Sequence, residues 1–181
     1  MNLSEILNRR YAIKAMTTEV ITDEKINAIM NVTLLCPTSS RLMPFHKFLI
    51  SNKMMKKKIW AIAHNQPVIE QSSHLMVFAA LHTYTEERVN QHFTHMNKQR
   101  GMPDSKTDGY RKMLLTLFKT QTTEQHFQHA AKQSYIGLGY ATIAAANEQV
   151  DATPMEGFST KVLDKLPELK KKFKSNFSLG L

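Results

Sequence analysis

The stretch His74-Leu75-Met76-Val77-Phe78-Ala79-Ala80-Leu81 limits the possible folds more than any other part of this chain. After His74 it is apolar without interruption and shows no alternation of polar and apolar residues. A short run of that kind is a strand buried on both faces. A second strand is predicted at Phe45 to Ser51. The helix patterns are more numerous. Leu3, Ile6 and Leu7 recur at helical spacing, and that helix should end near Arg9-Arg10, with Tyr11 to Lys14 extended. Thr22-Asp23-Glu24 opens a second helix, with a capping hydroxyl or carboxylate and acids at its positive end. Its apolar stripe is Ile26, Ile29, Met30 and Leu34, and Pro37 stops it.

Lys53 to Ala63 is a further helix, broken by His64-Asn65-Gln66-Pro67. Tyr84 to Arg100 and Arg111 to Phe118 have helical propensity. The segment from Tyr84 to Phe118 reads as too polar for core, so it is expected to cover a site or a partner. The longest helix pattern runs from Glu124 to Gln149. In its middle, Tyr135-Ile136-Gly137-Leu138-Gly139-Tyr140-Ala141 offers small residues for close backbone packing, which has to offset about 1 kcal/mol for each glycine. A short helix, Lys161 to Leu166, follows. No repeat or linker divides the chain, and residues 1–181 read as one domain.

Composition excludes several classes. Hydrophobic residues are 42% and charged residues 22%, which describes a soluble globular chain. No apolar run reaches the roughly 18 residues of a membrane span. The N-terminus carries an acid in an amphipathic helix start and is not a signal peptide, so the cytoplasm is the expected location. Cys36 is the single cysteine, which rules out an internal disulfide; between Leu35 and Pro37 it reads as a buried small hydrophobe. The formal net charge of +9 is concentrated in Lys53 to Lys58 and Lys170 to Lys174, beside helix patterns, as solvated faces. No nucleic-acid-binding motif accompanies it, and no nucleic-acid partner is expected.

Known catalytic signatures are also missing. His92 with His95 and His126 with His129 stand at i, i+3, but neither pair has a third ligand, and both read as surface histidines. Ser39 and Ser40 lie in no Gly-x-Ser-x-Gly elbow. There is no Gly-x-Gly-x-x-Gly after a strand and no P-loop. No metal ligand and no catalytic side chain is assigned.

What remains are loops. Arg10 and Lys14 form a basic pair after the first helix. Pro37-Thr38-Ser39-Ser40 is hydroxyl-rich, and Asn65 sits in a helix-terminal loop. Asp151-Ala152-Thr153-Pro154-Met155-Glu156-Gly157-Phe158 links the longest helix to the next as a rigid helix-to-helix loop. There Pro154 fixes one φ, and Gly157 allows either a special backbone conformation or close approach. Taken alone, that loop also fits an ordinary interhelix turn.

In this order the pieces resemble the FMN-dependent nitroreductase family, nearest its oxygen-insensitive NAD(P)H nitroreductase and dihydropteridine reductase branch. The resemblance spans about Leu3 to Leu169 and is weak from Tyr84 to Gln125. It rests on Gln133-Ser134-Tyr135-Ile136-Gly137-Leu138-Gly139, Ala144-Ala145-Ala146 and Pro154-Met155-Glu156-Gly157-Phe158 together with the early loops. It implies an α+β fold, a central and mostly antiparallel sheet flanked by helices, and a homodimer. It also implies an FMN enzyme taking hydride from NAD(P)H and passing it to nitroaromatic, quinone or related small-molecule acceptors by a ping-pong mechanism.

The resemblance also implies site residues. Arg10, Tyr11, Ala12 and Lys14 match the phosphate- and ring-binding motif, with Lys14 near the flavin's N1–C2=O edge. Pro37, Thr38, Ser39 and Ser40 match a loop that reaches the flavin of the other subunit. Asn65 matches a flavin-bonding asparagine. Pro154, Met155, Glu156 and Gly157 match the loop whose backbone donors face N5.

Three departures bear on that reading. Ala12 replaces the usual serine, removing a phosphate donor. Arg41 stands where the family usually has asparagine. Against the family, Phe177-Ser178-Leu179-Gly180-Leu181 reads as the beginning of a core strand cut short, without the basic arm that follows it. The alternative left open is a cofactor-depleted member acting as a non-catalytic dimer or binding protein.

Overall fold

The computed structural model describes residues 2–17, 19–164 and 173–181, with backbone alone at 173–178. Four strands form one antiparallel sheet in the order β1 (Phe45–Ile50), β2 (Leu75–Leu81), β4 (Phe173–Gly180), β3 (Thr153–Met155). Every residue of β2 is buried, as its unbroken apolar sequence predicts. Successive side chains of a strand point to opposite faces. Met76 and Phe78 therefore enter one core cluster with Ile26, Ile29, Ala141 and Ala145, while Leu75 and Val77 enter another with Ile59, Val68, Ile69 and Leu163. Full burial of a side chain of this size contributes about 1.5–3 kcal/mol, so the two clusters are what hold helices on both faces.

The helices begin and end for local reasons. α1 (Leu3–Arg9) starts in a reciprocal capping box between Asn2 and Glu5. α2 (Asp23–Leu34) packs against the longest helix, α7 (Thr123–Asn147), which lies on β2. Thr122 and Gln125 form the capping box of α7. At its other end, Val150 N–H donates to the Ala145 carbonyl and Gln149 N–H to the Ala146 carbonyl, with Gln149 at φ 58°. That is the Schellman arrangement, usually built on glycine; it turns the chain out of the helix and buries Val150. α3 (Lys53–Ala61) is capped by Asn52, and α4 (Pro67–Gln71) begins on a proline, whose missing N–H costs nothing there.

Several expectations from the sequence change here. The segment from Tyr84 to Phe118 is not coreless cover. α5 (Glu86–Gln99) and α6 (Asp108–Lys119) bury Val89, Phe93, Leu114 and Phe118 with Tyr84, Leu81 and Ala130 in a third cluster. Two narrow stripes at i, i+4 spacing are enough when they face each other, and the polar majority on the outer faces hides them. Gly137 does meet a close neighbour, but a side chain: a Cβ there would lie 2.6 Å from Cζ of Phe45. Among the described residues, Gly139 has no such neighbour within 4 Å.

The stretch from Asp151 to Phe158 is not a plain interhelix loop. It contains β3, in which Pro154 stands opposite Leu179 on an edge strand, where proline is tolerated. The residues expected to begin a strand at Phe177 form the second half of β4, which runs from Phe173 and fills the sheet between β2 and β3. α8 is Thr160–Leu163; the expected continuation to Leu166 lies outside the described residues, as do Lys170 to Lys172.

Candidate functional site

Three of the segments singled out in the sequence are tied to one another around β3. After α1 the chain passes the start of this strand, where the Thr153 hydroxyl donates to the Ile13 carbonyl at 2.8 Å. Arg10, Tyr11 and Lys14 are exposed on this crossing and Ala12 is half-buried. Beyond β3, Gln66 donates through Nε2 to the Gly157 carbonyl at 2.9 Å, and Ser159 N–H donates to the Ile62 carbonyl at 2.9 Å. The 64–66 turn is thereby fastened to the 156–159 loop.

From the other side, the Tyr135 hydroxyl of α7 donates to the Glu156 carboxylate. Desolvation, then the hydrogen bond and charge of Glu156, push the Tyr135 phenol up to about 12, so it stays a donor at neutral pH. Gly157 lets Gln66 approach closely: a Cβ would lie 3.1 Å from its Nε2, tighter than an ordinary contact. Pro154 and Glu156 are exposed, whereas the Met155 side chain is buried in the core, so only its backbone faces the loop's surroundings. Among the described residues, neither Glu156 N–H nor Gly157 N–H has an acceptor.

The Pro37–Ser40 loop is fastened elsewhere. Ser39 N–H donates to Gln133 Oε1 at 2.8 Å, and the Tyr110 hydroxyl donates to Ser40 Oγ at 3.0 Å. Thr38 is buried, and its hydroxyl accepts from Met43 N–H at 3.2 Å, while Pro37 and Ser39 are exposed. Among the described residues no hydrogen bond joins this loop to the β3 group. The structure thus brings Arg10 to Lys14, Asn65 and Pro154 to Gly157 into one group and leaves Pro37 to Ser40 in another.

Both groups carry backbone strain. Ser40 and Arg41 lie at φ 54° and 56°, and His64 and Asn65 both at 52°. Consecutive non-glycine residues in the left-handed region cost roughly 1–2 kcal/mol each, less for asparagine, and such residues concentrate at ligand-binding loops. A separate cleft of about 370 Å³ lies along residues 13–22 and is bordered by Lys25, Ser73 and Asp151. It includes neither Asn65 nor the 156–157 loop, so it is not the site built here.

The histidine pairs are not all on the surface. His126 is buried; Tyr84 N–H donates to its Nδ1 and its Nε2 donates to the Phe118 carbonyl at 3.0 Å. This assigns the proton to Nε2 and fastens α6 to α7. His129 is half-buried against the Tyr84 hydroxyl, and burial lowers its pKa. Among the described residues no cluster of His, Cys, Asp or Glu could hold a metal ion. None of their helices is long and apolar enough to cross a membrane. Sequence reasoning missed Gln66 and Tyr135. Gln66 adjoins Asn65, and Tyr135 lies in the Gln133–Gly139 stretch, but neither position advertises a partner some 20 to 90 residues away.

This antiparallel sheet, covered by helices on both faces, superposes on solved nitroreductase-type structures. A nitroreductase family protein from Streptococcus pneumoniae superposes with a TM-score of 0.87 at 13% identity, covering 99% of this chain and 88% of that one. A protein from Exiguobacterium sibiricum, solved in complex with FMN, superposes at 0.84 and 17% identity, covering 99% and 87%. At those identities the likeness shows the fold. By sequence, the chain is 26% identical over 184 residues to an oxygen-insensitive NAD(P)H nitroreductase of Salmonella typhimurium, covering 95% of this chain and 83% of the relative. The profile of the nitroreductase family matches residues 7–180, and the chain belongs to that family.

Proposed function

We propose that this chain is a cytoplasmic FMN-dependent oxidoreductase, acting as a single domain in a homodimer, that carries hydride from NAD(P)H to a nitroaromatic, quinone or related small-molecule acceptor. The observation that carries this reading is the Glu156–Gly157 loop. Two adjacent N–H groups without acceptors among the described residues are held by Gln66 on one side and Tyr135 on the other. A flat heteroaromatic edge needs donors of this kind. Bound FMN would supply the hydride chemistry itself, accepting from NAD(P)H and donating to the acceptor in alternation.

The residues present fit that group. Arg10 and Lys14 are exposed cations beside β3, suited to the phosphate and to the negative charge of the ring's pyrimidine edge. Tyr11 and Ala12 carry the backbone between them. The Asn65 amide, exposed on a strained turn, supplies a further hydrogen bond. Pro154 and Met155 set the direction from which Glu156 and Gly157 donate.

Pro37, Thr38, Ser39 and Ser40, fastened away from this group, serve the site of the second subunit. Exposed Leu3 and Leu7 on α1, Leu34 and Leu35 at the end of α2, and Tyr135 and Ile136 on α7 form the apolar surface for that subunit. α1 and α2 both pack on α7.

The test is to mix purified protein with excess FMN, remove free flavin by gel filtration and add NADH or NADPH anaerobically. Retained flavin absorption that bleaches on addition supports the proposal. Retained flavin that neither coenzyme bleaches would sink the catalytic part. Ala12, lacking the family's hydroxyl, favours a second reading as a cofactor-depleted dimer; protein that takes up no flavin would select it.

A further inference from the structure

The excursion from α5 to α6 does more than cover the sheet. Between it and the 38–41 loop lies an open cleft of about 560 Å³. Three cations line it: Arg41 from the strained loop, Arg100 at the end of α5, and Lys106 from the turn before α6. No carboxylate among the described residues does. None of the three cations makes an ion pair among the described residues. Of the two acids nearest Lys106 in sequence, Asp104 is engaged by Arg111, Thr94 and Asn97, and Asp108 does not line the cleft.

The same cleft has an aromatic wall. Its accessible ring is that of Tyr110, backed edge to face by the buried Phe93, with ring centroids 5.9 Å apart at 79°. Arg111 braces the Phe93 ring, its guanidinium carbon 5.8 Å from the centroid. Tyr110 also donates to Ser40, so the cleft opens beside one of the loops assigned above to a flavin site. Three uncompensated cations around an aromatic wall disfavour neutral or cationic occupants and reward a ring that carries a negative charge.

We propose that this cleft is an acceptor subsite selecting aromatic carboxylates, the ring lying on exposed Tyr110 and the carboxylate meeting Arg100 and Lys106, with Arg41 at the rim. The inference rests on the oxidoreductase reading for its role in turnover, but binding tests it independently.

In FMN-loaded protein reduced by NADH, kcat/KM for 4-nitrobenzoate is expected to exceed that for 4-nitrobenzyl alcohol by about tenfold, the worth of one solvated charge-assisted contact. Arg100→Gln with Lys106→Gln should abolish that preference and leave the alcohol within about twofold. Both cations are exposed, so the fold should be retained, which thermal unfolding checks. Isothermal titration of 4-nitrobenzoate into the same two proteins should show binding to the wild type that weakens with salt and is lost in the variant.

If neither protein turns over but titration shows that difference, the subsite stands and the oxidoreductase reading fails. Equal binding of 4-nitrobenzoate and the alcohol, or a preference unchanged by the double substitution, would overturn the subsite. So would a double variant whose KM rises for NADPH alone, because the cleft would then hold the coenzyme's phosphate.

Discussion

The contact between Gly137 and Phe45 makes a prediction whose sign depends on two competing terms. Gly137 lies in the interior of α7, where alanine is favoured by about 1 kcal/mol. A Cβ at that position would sit 2.6 Å from Phe45 Cζ and 3.0 Å from Cε2, against the roughly 3.5–4.0 Å of an ordinary carbon contact. Phe45 cannot easily retreat. It is 7% exposed, its ring lies 6.0 Å from that of Phe78, and its backbone begins β1 opposite Ala80. Overpacking of this kind costs about 1–3 kcal/mol. Gly137→Ala should therefore be between neutral and about 2 kcal/mol destabilising.

Phe45→Leu removes the far end of the ring, and in that background only the propensity term should remain, a gain of about 1 kcal/mol. The coupling between the two substitutions is then about 1–3 kcal/mol. Urea unfolding of wild type, both single variants and the double variant measures it at one protein concentration. A coupling below about 0.5 kcal/mol would refute the claim that α7 is notched at Gly137 to admit Phe45.

Three further outcomes follow from the site. Tyr135→Phe releases one of the two fastenings of the Glu156–Gly157 loop and should weaken FMN binding several-fold. It should also remove part of the stability loss between pH 10 and about 12, because a phenol raised in the folded state stabilises below its unfolded pKa and loses that contribution as pH rises through the folded one. Flavin titration and denaturation at pH 9 and 12 check the two effects, and a variant unchanged in both would contradict the assignment. Lys14→Ala should slow flavin reduction by NAD(P)H about tenfold or more while weakening FMN binding less, since a charge contact made mainly in the reduced state is worth about 1.5–3 kcal/mol; an unchanged rate in stopped flow removes Lys14 from the role. Gly139→Ala has open space within one chain and should stabilise an isolated subunit by about 1 kcal/mol, yet weaken a dimer built on the exposed face of α7. Light scattering across a dilution series distinguishes this from a dimer built elsewhere.

Much of the architecture was legible because it depends on local pattern. The unbroken run at β2 could only be buried on both faces, and the length of α7 follows from its helical periodicity. The loops holding Arg10, Ser40, Asn65 and Gly157 were found from residue type, and both pairs of left-handed residues fall inside or beside them. Non-local features were not legible. β3 has three residues, one of them a proline, and among the described residues its strand partner comes from near the end of the chain. The core of α5 and α6 is shared among separate helices, so no single window shows it. Gln66 and Tyr135 matter because the fold delivers them to Gly157 and Glu156, which neither side chain announces. His126 resembled its surface neighbours until the chain folded around it.

The most direct test of the central claim is the flavin stoichiometry of the purified protein after incubation with excess FMN, read together with its size in solution. The account predicts about one FMN per chain in a dimer, bleached by NAD(P)H without added protein. Colourless protein after that incubation, or a monomer that holds flavin as tightly as a dimer, would contradict it.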